Sequence, residues 1–330
     1  MLFNEVNFIQ EIFKSKLIHF DELAMQLFRH QYENTKTYRD YCHHLQIDTS
    51  AIHSVAQIPF LPVSFFKTHD IQTGTFIPET IYTSSATTGM VQSRHLVKDN
   101  TIYINSFIKA FELFYGHPEE YAIIALLPNY SEREGSSLIV MADHLINQSK
   151  HPESGFYLYN FEDLHRILVQ LKAKNTKTLL LGVTFALLDF AEQFPIDLSA
   201  AIIMETGGMK GRRKEMIRTE VHKQLQESFN VKHIHSEYGM TELLSQGYSK
   251  GDGIFYTPPW MKVLISDATD ALQMLSQQKS GLINVIDLAN LHSCAFIQTA
   301  DIGKTYADGG FEVLGRLDQS DMRGCSLMYL

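Results

Sequence analysis

The chain has 330 residues, a net charge of −9 at neutral pH, 45% hydrophobic and 20% charged residues. These proportions are those of a globular protein and exclude a disordered, collagen-like or coiled-coil chain. The acidic balance argues against a protein that holds nucleic acid on a basic surface. Three scattered cysteines, Cys42, Cys294 and Cys325, are too few for a disulfide framework or a zinc site. No apolar run approaches the roughly 18 residues of a membrane span and no basic leader is evident, so we expect a cytoplasmic protein without a transmembrane segment.

Helical spacing dominates the beginning of the chain. Apolar residues such as Phe8, Ile12, Leu23 and Leu27 recur at helical intervals and predict two or three helices before residue 50. Residues 58–67 contain two prolines. This segment is predicted to be extended, because a proline disfavours the helical conformation in the residue before it.

From residue 80 onwards, short apolar runs alternate with amphipathic stretches of helical length. The predicted strands are 121–127, 178–181, 200–205 and 232–236, and the predicted helices lie near 100–115, 135–148, 161–173, 184–193 and 211–228. This alternation predicts an α/β fold with a parallel or mixed sheet. Short strands at 261–265, 282–287, 294–298 and 311–314 predict a smaller β-rich subdomain after it. We therefore expect a helical segment over 1–55, an α/β core over 56–254 and a β-rich subdomain over 255–330.

Two segments have the composition of phosphate- or nucleotide-binding loops. Five of the eight residues in Tyr82–Gly89 are Ser or Thr, and small hydroxyls with free backbone N–H groups can surround phosphate oxygens. The pair Gly207 and Gly208 directly follows an apolar strand, where glycine lets the backbone approach a flat ligand. Taken alone, each segment also fits an ordinary loop or turn.

Three further segments carry polar side chains at strand ends. In Ser236–Glu242, the neighbours Thr241 and Glu242 suit a phosphate oxygen and Mg²⁺ respectively. Asp301, within Thr299–Gly303, is the residue type that binds ribose hydroxyls. The segment Gly315–Asp318 is a turn followed by the charged residues Arg316 and Asp318.

The order of these five segments is more specific than any one of them. A hydroxyl-rich loop, a Gly-Gly pair, Y-G-x-T-E, T-x-D and G-R-x-D follow one another as the nucleotide motifs do in the adenylate-forming superfamily, and the resemblance spans residues 80–320. The stretches Leu61–Lys67, Tyr130–Leu138, Gly207–Arg213 and Arg323–Leu327 resemble the LuxE-type acyl-protein synthetases. Those proteins are the acid-activating subunits of fatty acid reductase complexes in bioluminescent bacteria.

This resemblance implies a large adenylation domain that activates a fatty or other carboxylic acid with ATP and Mg²⁺. The product, acyl-AMP, would pass its acyl group to Cys325 as a thioester, for a partner reductase or acyltransferase. The matching motifs assign phosphate binding to Ser84, Ser85, Thr87, Thr88 and Gly89, and the adenine platform to Gly207, Gly208 and Met209. They further assign packing on the base to Tyr238, contact with the α-phosphate to Thr241, Mg²⁺ to Glu242, and the ribose hydroxyls to Asp301 with Arg316 nearby.

The sequence departs from the superfamily pattern in two places. The lysine that usually follows the phosphate loop is missing, and Arg94 is the nearest cation that could substitute for it. The chain ends soon after G-R-x-D, so the mobile C-terminal domain and its catalytic lysine are expected to be absent. By residue type alone, Lys67 and Lys210 are candidates to replace that lysine.

Three other functions are alternatives to acyl-protein synthesis. A serine hydrolase is disfavoured because no G-x-S-x-G elbow occurs. A coenzyme A ligase of the phenylacetate type shares the Gly-Gly and Y-G-x-T-E features. A degenerate superfamily member that binds a nucleotide or acyl ligand without turnover is the third alternative, because the lysine after the phosphate loop is missing. The acyl chain, the final acceptor, the oligomeric state and the pathway stay open at the level of sequence.

Overall fold

The computed structural model describes residues 3–14, 19–85, 91–128, 135–158, 160–207 and 216–317. Six of the predicted site residues lie outside these ranges: Thr87, Thr88, Gly89, Gly208, Met209 and Cys325. None of the helices in the described ranges is long and apolar enough to cross a lipid bilayer.

Helices and strands alternate through most of the described chain. The helices are α1 (Glu5–Ile12), α2 (Phe20–Asn34), α3 (Lys36–His44), α4 (Phe65–Thr68), α5 (Asn100–Tyr115), α6 (Ser137–Gln148), α7 (Phe161–Ala173), α8 (Thr184–Gln193) and α9 (Arg218–Phe229). The strands are β1 (Leu61–Pro62), β2 (Thr80–Thr83), β3 (Arg94–Val97), β4 (Ala122–Leu126), β5 (Gly155–Phe156), β6 (Thr178–Val183), β7 (Ile202–Thr206), β8 (His235–Tyr238), β9 (Gly247–Ser249), β10 (Ile254–Phe255), β11 (Met261–Ser266), β12 (Gly281–Asp287), β13 (Phe296–Thr305) and β14 (Phe311–Arg316).

The chain divides into two compact units. The first comprises Met1–Ser106, Thr241–Ser245 and Tyr256–Leu330, and the second comprises Phe107–Met240 and Gln246–Phe255. The β-rich residues after 255 therefore belong to the same unit as the N-terminal helices. The domain boundaries expected at residues 55 and 254 stay a prediction.

The second unit is built on a sheet with the strand order β5-β4-β6-β7-β8-β9. All neighbours in it are parallel except β8 and β9. Every residue of β4 and β6 is buried, as expected for central parallel strands that are covered on both faces. Helix α7 buries one stripe at helical spacing, Leu164, Ile167, Leu168 and Leu171.

The first unit contains an antiparallel sheet in the order β14-β13-β12-β11, with β1 paired in parallel to β13. A separate antiparallel pair, β2 and β3, flanks the hydroxyl-rich loop. The N-terminal helices belong to this unit through a buried polar contact. The Gln31 amide of α2 donates to the carbonyl oxygens of Asn290 and Leu291 at 2.9 and 3.1 Å, and accepts from the Ala295 N–H at 2.9 Å.

The α/β class predicted from the sequence is confirmed, as are the helices over 161–173 and 184–193. The extended conformation predicted for residues 58–67 is only partly correct. Leu61 and Pro62 form β1, but Phe65–Thr68 form the short helix α4. Proline restricts only the residue that precedes it, so the bias does not reach beyond Leu61. Strand β8 also begins later than predicted, because its first pair with β7 joins Met204 to His235.

Candidate active site

The turn that carries Thr241 and Glu242 is fixed through its backbone. The His95 Nδ1–H of β3 donates to the Thr241 carbonyl oxygen at 2.8 Å, and the Asn290 amide donates to the Glu242 carbonyl oxygen at 2.8 Å. The Ser293 hydroxyl donates to the other ring nitrogen of His95 at 3.0 Å. Burial lowers the pKa of His95 to about 4. The ring is therefore neutral at physiological pH, with one nitrogen as a hydrogen-bond donor and the other as an acceptor.

A buried carboxylate holds the residues that follow the turn. Asp287, at the end of β12, accepts hydrogen bonds from the Leu244 and Ser245 N–H groups at 2.8 and 2.9 Å and from the Ser245 hydroxyl at 2.6 Å. Burial raises the pKa of Asp287 to about 6, although these hydrogen bonds oppose the rise. Unsatisfied backbone donors are costly in the interior, so Asp287 stabilises one conformation of the segment after Glu242.

Glu242 is a buried carboxylate, and Ser93 links its side chain to Ser84 at the start of the hydroxyl-rich loop. Burial raises its pKa, while the Ser93 hydroxyl, which donates to the carboxylate, opposes that rise. The Ser93 N–H in turn donates to the Ser84 hydroxyl oxygen at 2.9 Å. Two of the residues predicted for the site, Ser84 and Glu242, are therefore joined through Ser93, which was not predicted.

Asp301 and Arg316 lie opposite each other on β13 and β14. The Arg316 Nε is 3.2 Å from an Asp301 carboxylate oxygen. The positive charges of Arg316 and Lys67 both act on Glu242 and lower its pKa against the effect of burial. The structure thus brings Ser84, Glu242, Asp301 and Arg316 into one region of the first unit.

This region fits Mg²⁺ held jointly by protein and ligand. No group of three or more His, Cys, Asp or Glu side chains suited to a metal occurs in the ranges that the structure describes. Mg²⁺ commonly takes only one or two protein carboxylates and completes its coordination with phosphate oxygens and water. A buried carboxylate with a raised pKa, as in Glu242, would gain a counter-charge from such an ion.

Ser85 is exposed, so its hydroxyl is accessible to a ligand. The Arg94 guanidinium on β3, the candidate substitute for the missing lysine, pairs with Asp70 at 2.9 Å.

In the second unit, the predicted adenine-binding residues follow adjacent parallel strands. Gly207 comes directly after β7 and Tyr238 ends β8, and the register pairs Thr206 with Glu237. Gly207 has a φ of 72°, a conformation that favours glycine, and its carbonyl oxygen accepts from the Thr184 hydroxyl at 2.9 Å. The Tyr238 ring is buried and meets the Phe255 ring edge-on at 5.9 Å between centroids.

Two buried glutamates, Glu205 and Glu237, lie near the carboxyl ends of the same two strands, β7 and β8. Burial alone would raise the pKa of Glu205, but a hydrogen bond from His222 and the charge of Arg218 lower it below its usual value. Among the described residues no cation lowers the pKa of Glu237, and burial raises it to about 7; the Thr206 hydroxyl opposes this rise and the charge of Glu205 adds to it. One glutamate of this pair is therefore held ionised and the other is largely protonated below neutral pH.

Glu237 predicts a pH dependence of stability. The pKa of this carboxyl is about 7 in the folded chain and 4.5 for an ordinary glutamate, so its contribution to stability is complete below pH 4.5 and is lost as the pH rises through about 7. Glu237→Gln cannot titrate. We expect the free energy of unfolding of the variant, relative to the wild type, to increase by about 3 kcal/mol between pH 4.5 and 8. Urea unfolding of both proteins at pH 4.5 and 8 measures this change in the difference between their free energies of unfolding. Glu227→Gln, at an exposed position, is the control. An equal difference at both pH values would contradict the assignment.

Several residues that shape the site were missed by the sequence analysis, namely Ser93, His95, Asp287, Asn290 and Glu237. Glu237 lies inside a segment that was singled out, and an acidic residue beside Tyr238 was a usable signal. The other four carry no local signal, because each acts on residues distant in the chain.

Comparison with known proteins supports the resemblance read from the motifs. The family model for the LuxE acyl-protein synthetases matches residues 10–112. Among curated protein sequences, none matches the chain. This match confirms the resemblance to LuxE-type proteins over the N-terminal third of the chain.

Solved structures of other proteins have the same fold. ATP-bound MatB from Rhodopseudomonas palustris matches with a TM-score of 0.55 and 15% identity, over 73% of this chain and 49% of that chain. O-succinylbenzoate coenzyme A synthetase from Bacillus subtilis, in complex with AMP, matches with a TM-score of 0.51 and 17% identity, over 74% and 51%. A 2-hydroxyisobutyryl-CoA ligase in complex with 2-HIB-AMP and CoA matches with a TM-score of 0.61 and 11% identity, over 91% and 70%. The chain thus spans about half the length of MatB, and the predicted adenylation-domain fold is confirmed.

Proposed function

We propose that this protein is an ATP-dependent acyl-protein synthetase. It activates a fatty or other carboxylic acid as acyl-AMP and then carries the acyl group on Cys325 as a thioester, for a partner reductase or acyltransferase. The family match over residues 10–112 and the adenylate-forming fold support the first half of this proposal. The acyl-protein step rests on the resemblance of the segment around Cys325.

The observation that carries the proposal is the environment of Glu242. This carboxylate is only 5% exposed. It is linked through Ser93 to the hydroxyl-rich loop, and the charges of Arg316 and Lys67 act on it. Burying a charge is costly, which indicates that the charge of Glu242 has a function. A bound Mg²⁺ on this carboxylate would neutralise phosphate charge. The Thr241–Glu242 backbone is fixed before any ligand binds, and such preorganisation is the main source of electrostatic catalysis.

In the first half-reaction, an oxygen of the substrate carboxylate attacks the α-phosphorus of ATP and pyrophosphate leaves. The Thr241 hydroxyl contacts the α-phosphate, and the loop with Ser84, Ser85, Thr87, Thr88 and Gly89 holds the remaining phosphates. Asp301 accepts from the ribose hydroxyls, with Arg316 holding its carboxylate in place. Gly207, Gly208 and Met209 flank the adenine, and Tyr238 packs on it.

In the second half-reaction, the Cys325 thiolate attacks the acyl carbon, the bond from that carbon to the phosphate oxygen breaks, and AMP leaves. The other two thiols are poor candidates for this step. Cys42 and Cys294 are both buried, and burial raises the pKa of each to about 12. A thiol needs a lowered pKa and access to its substrate to act as a nucleophile.

A coenzyme A ligase is the second candidate, because two of the solved structures with this fold are a coenzyme A synthetase and a CoA ligase by name. Acid-dependent exchange of labelled pyrophosphate into ATP, measured over a panel of aliphatic and aryl acids with and without coenzyme A, separates the possibilities. We expect exchange with at least one acid in the absence of coenzyme A, and a protein-bound acyl label. Acyl-CoA formation without a labelled protein would favour the ligase, and no exchange with any acid would favour a non-catalytic binding protein.

A further inference from the structure

Lys67 lies on a short segment whose start is fixed on β13, a strand of the candidate site. The parallel pairing of β1 with β13 joins Leu61 to Ile297, and the Val63 N–H donates to the Gln298 carbonyl oxygen at 2.8 Å. Because the two strands run in the same direction, the chain after β1 continues toward the part of β13 that carries Asp301. Lys67 follows in α4.

Helix α4 is also packed against the residue that holds the Thr241 turn. The Phe66 ring meets the His95 ring edge-on at 5.8 Å between centroids, and His95 donates to the Thr241 carbonyl oxygen. Phe66 is 1% exposed, so its packing fixes the backbone of the neighbouring Lys67 close to the Thr241–Glu242 turn.

The charge of Lys67 has no counterpart of its own in the described ranges. Its ammonium acts on the buried carboxylate of Glu242 together with Arg316. Arg316 is paired with Asp301 at 3.2 Å, whereas Lys67 forms no ion pair within the part of the chain that the structure describes. Its side chain is half-buried, which is uncommon for a lysine without a partner.

We propose that the Lys67 ammonium binds a phosphate of ATP and stabilises the negative charge that moves onto pyrophosphate when the carboxylate attacks. This inference rests on the proposed function. Phosphate groups placed beside Glu242 meet the repulsion of a buried negative charge. An ammonium group near the same carboxylate offsets that repulsion and offers three donors to phosphate oxygens.

The test compares Lys67→Met and Lys67→Arg with the wild type, with Lys262→Met as a matched control on a lysine that pairs with Asp21. Calorimetry measures the affinities for ATP and for adenosine, and pyrophosphate exchange measures turnover. We expect Lys67→Met to lose at least about 100-fold in the turnover number of exchange and about tenfold in ATP affinity, with an unchanged affinity for adenosine. Lys67→Arg keeps the charge and is expected to recover most of the ATP affinity, and Lys262→Met to behave as the wild type.

The two readouts separate failure of this inference from failure of the proposed function. A wild type that binds ATP but exchanges no pyrophosphate with any acid would refute the proposed function, and a loss of ATP affinity in Lys67→Met would still support the phosphate contact. A folded Lys67→Met protein that keeps both ATP affinity and exchange within about twofold would overturn the inference. Equal losses of ATP and adenosine affinity would overturn it too, because they indicate a structural role. A wild type that binds no ATP would overturn both proposals.

Discussion

Replacing Glu242 with alanine is expected to lower acid-dependent pyrophosphate exchange at least about 100-fold, the scale of losing one preorganised group that stabilises transition-state charge. The expectation follows from the position of this carboxylate, which is buried, hydrogen-bonded by Ser93 and held on a turn that His95 and Asn290 fix. Removing it takes away the proposed ligand for Mg²⁺ at the place where charge develops. Steady-state exchange at saturating ATP and acid is the measurement.

The control for Glu242→Ala is Glu242→Gln, which keeps the size of the side chain and an acceptor for the Ser93 hydroxyl. We expect the glutamine variant to fold with the stability of the wild type and still to lose most of the exchange activity, because it lacks the charge. If either folded variant keeps exchange within a few fold of the wild type, Glu242 is not the metal ligand.

Replacing Cys325 with alanine is expected to abolish the covalent acyl label while leaving pyrophosphate exchange within about twofold of the wild type. The thiol enters only after pyrophosphate has left, so the first half-reaction does not need it. The label is measured with a radioactive acid, ATP and Mg²⁺, followed by neutral hydroxylamine, which cleaves thioesters.

The other two cysteines provide matched controls for this experiment. Cys42→Ala and Cys294→Ala remove thiols that are buried and are expected to leave the label in place. A label that persists in Cys325→Ala would show that another residue accepts the acyl group. A wild-type protein that never labels but forms acyl-CoA when coenzyme A is supplied would assign it to the coenzyme A ligases.

The parts of the fold that could be predicted from the sequence are those with a strong local pattern. Strands β4 and β6 are continuous apolar runs, and α7 has a clear helical stripe, so each was identified close to its observed bounds. Helix α4 was missed because the prolines before it suggested an extended segment, although their steric effect ends at Leu61.

The residues that bind or react were easier to predict than the residues that hold them. Glu242 and Asp301 stand in recognisable motifs, and the structure places both in one unit with Ser84 and Arg316. Asn290 reaches the Glu242 carbonyl oxygen from 48 residues further along the chain. Such a contact depends on the pairing of distant strands, and no local sequence pattern predicts it.

The role of the N-terminal helices could not be predicted from the sequence for the same reason. Nothing in their sequence suggested a link to the site, and yet Gln31 of α2 binds the Asn290 carbonyl oxygen, and the Asn290 amide binds the carbonyl oxygen of Glu242. The family match over residues 10–112 includes this helix. The helical segment therefore positions the candidate site through one intermediate residue.

The transfer of oxygen from the acid to AMP tests the central claim most directly. The protein is incubated with Mg²⁺, ATP and an acid labelled with ¹⁸O in both carboxyl oxygens, and the nucleotide products are weighed by mass spectrometry. If the carboxylate attacks the α-phosphorus and the acyl carbon–oxygen bond breaks on transfer, one ¹⁸O atom appears in AMP and none in pyrophosphate. Unlabelled AMP, or ADP with labelled phosphate, would contradict the formation of an acyl-adenylate.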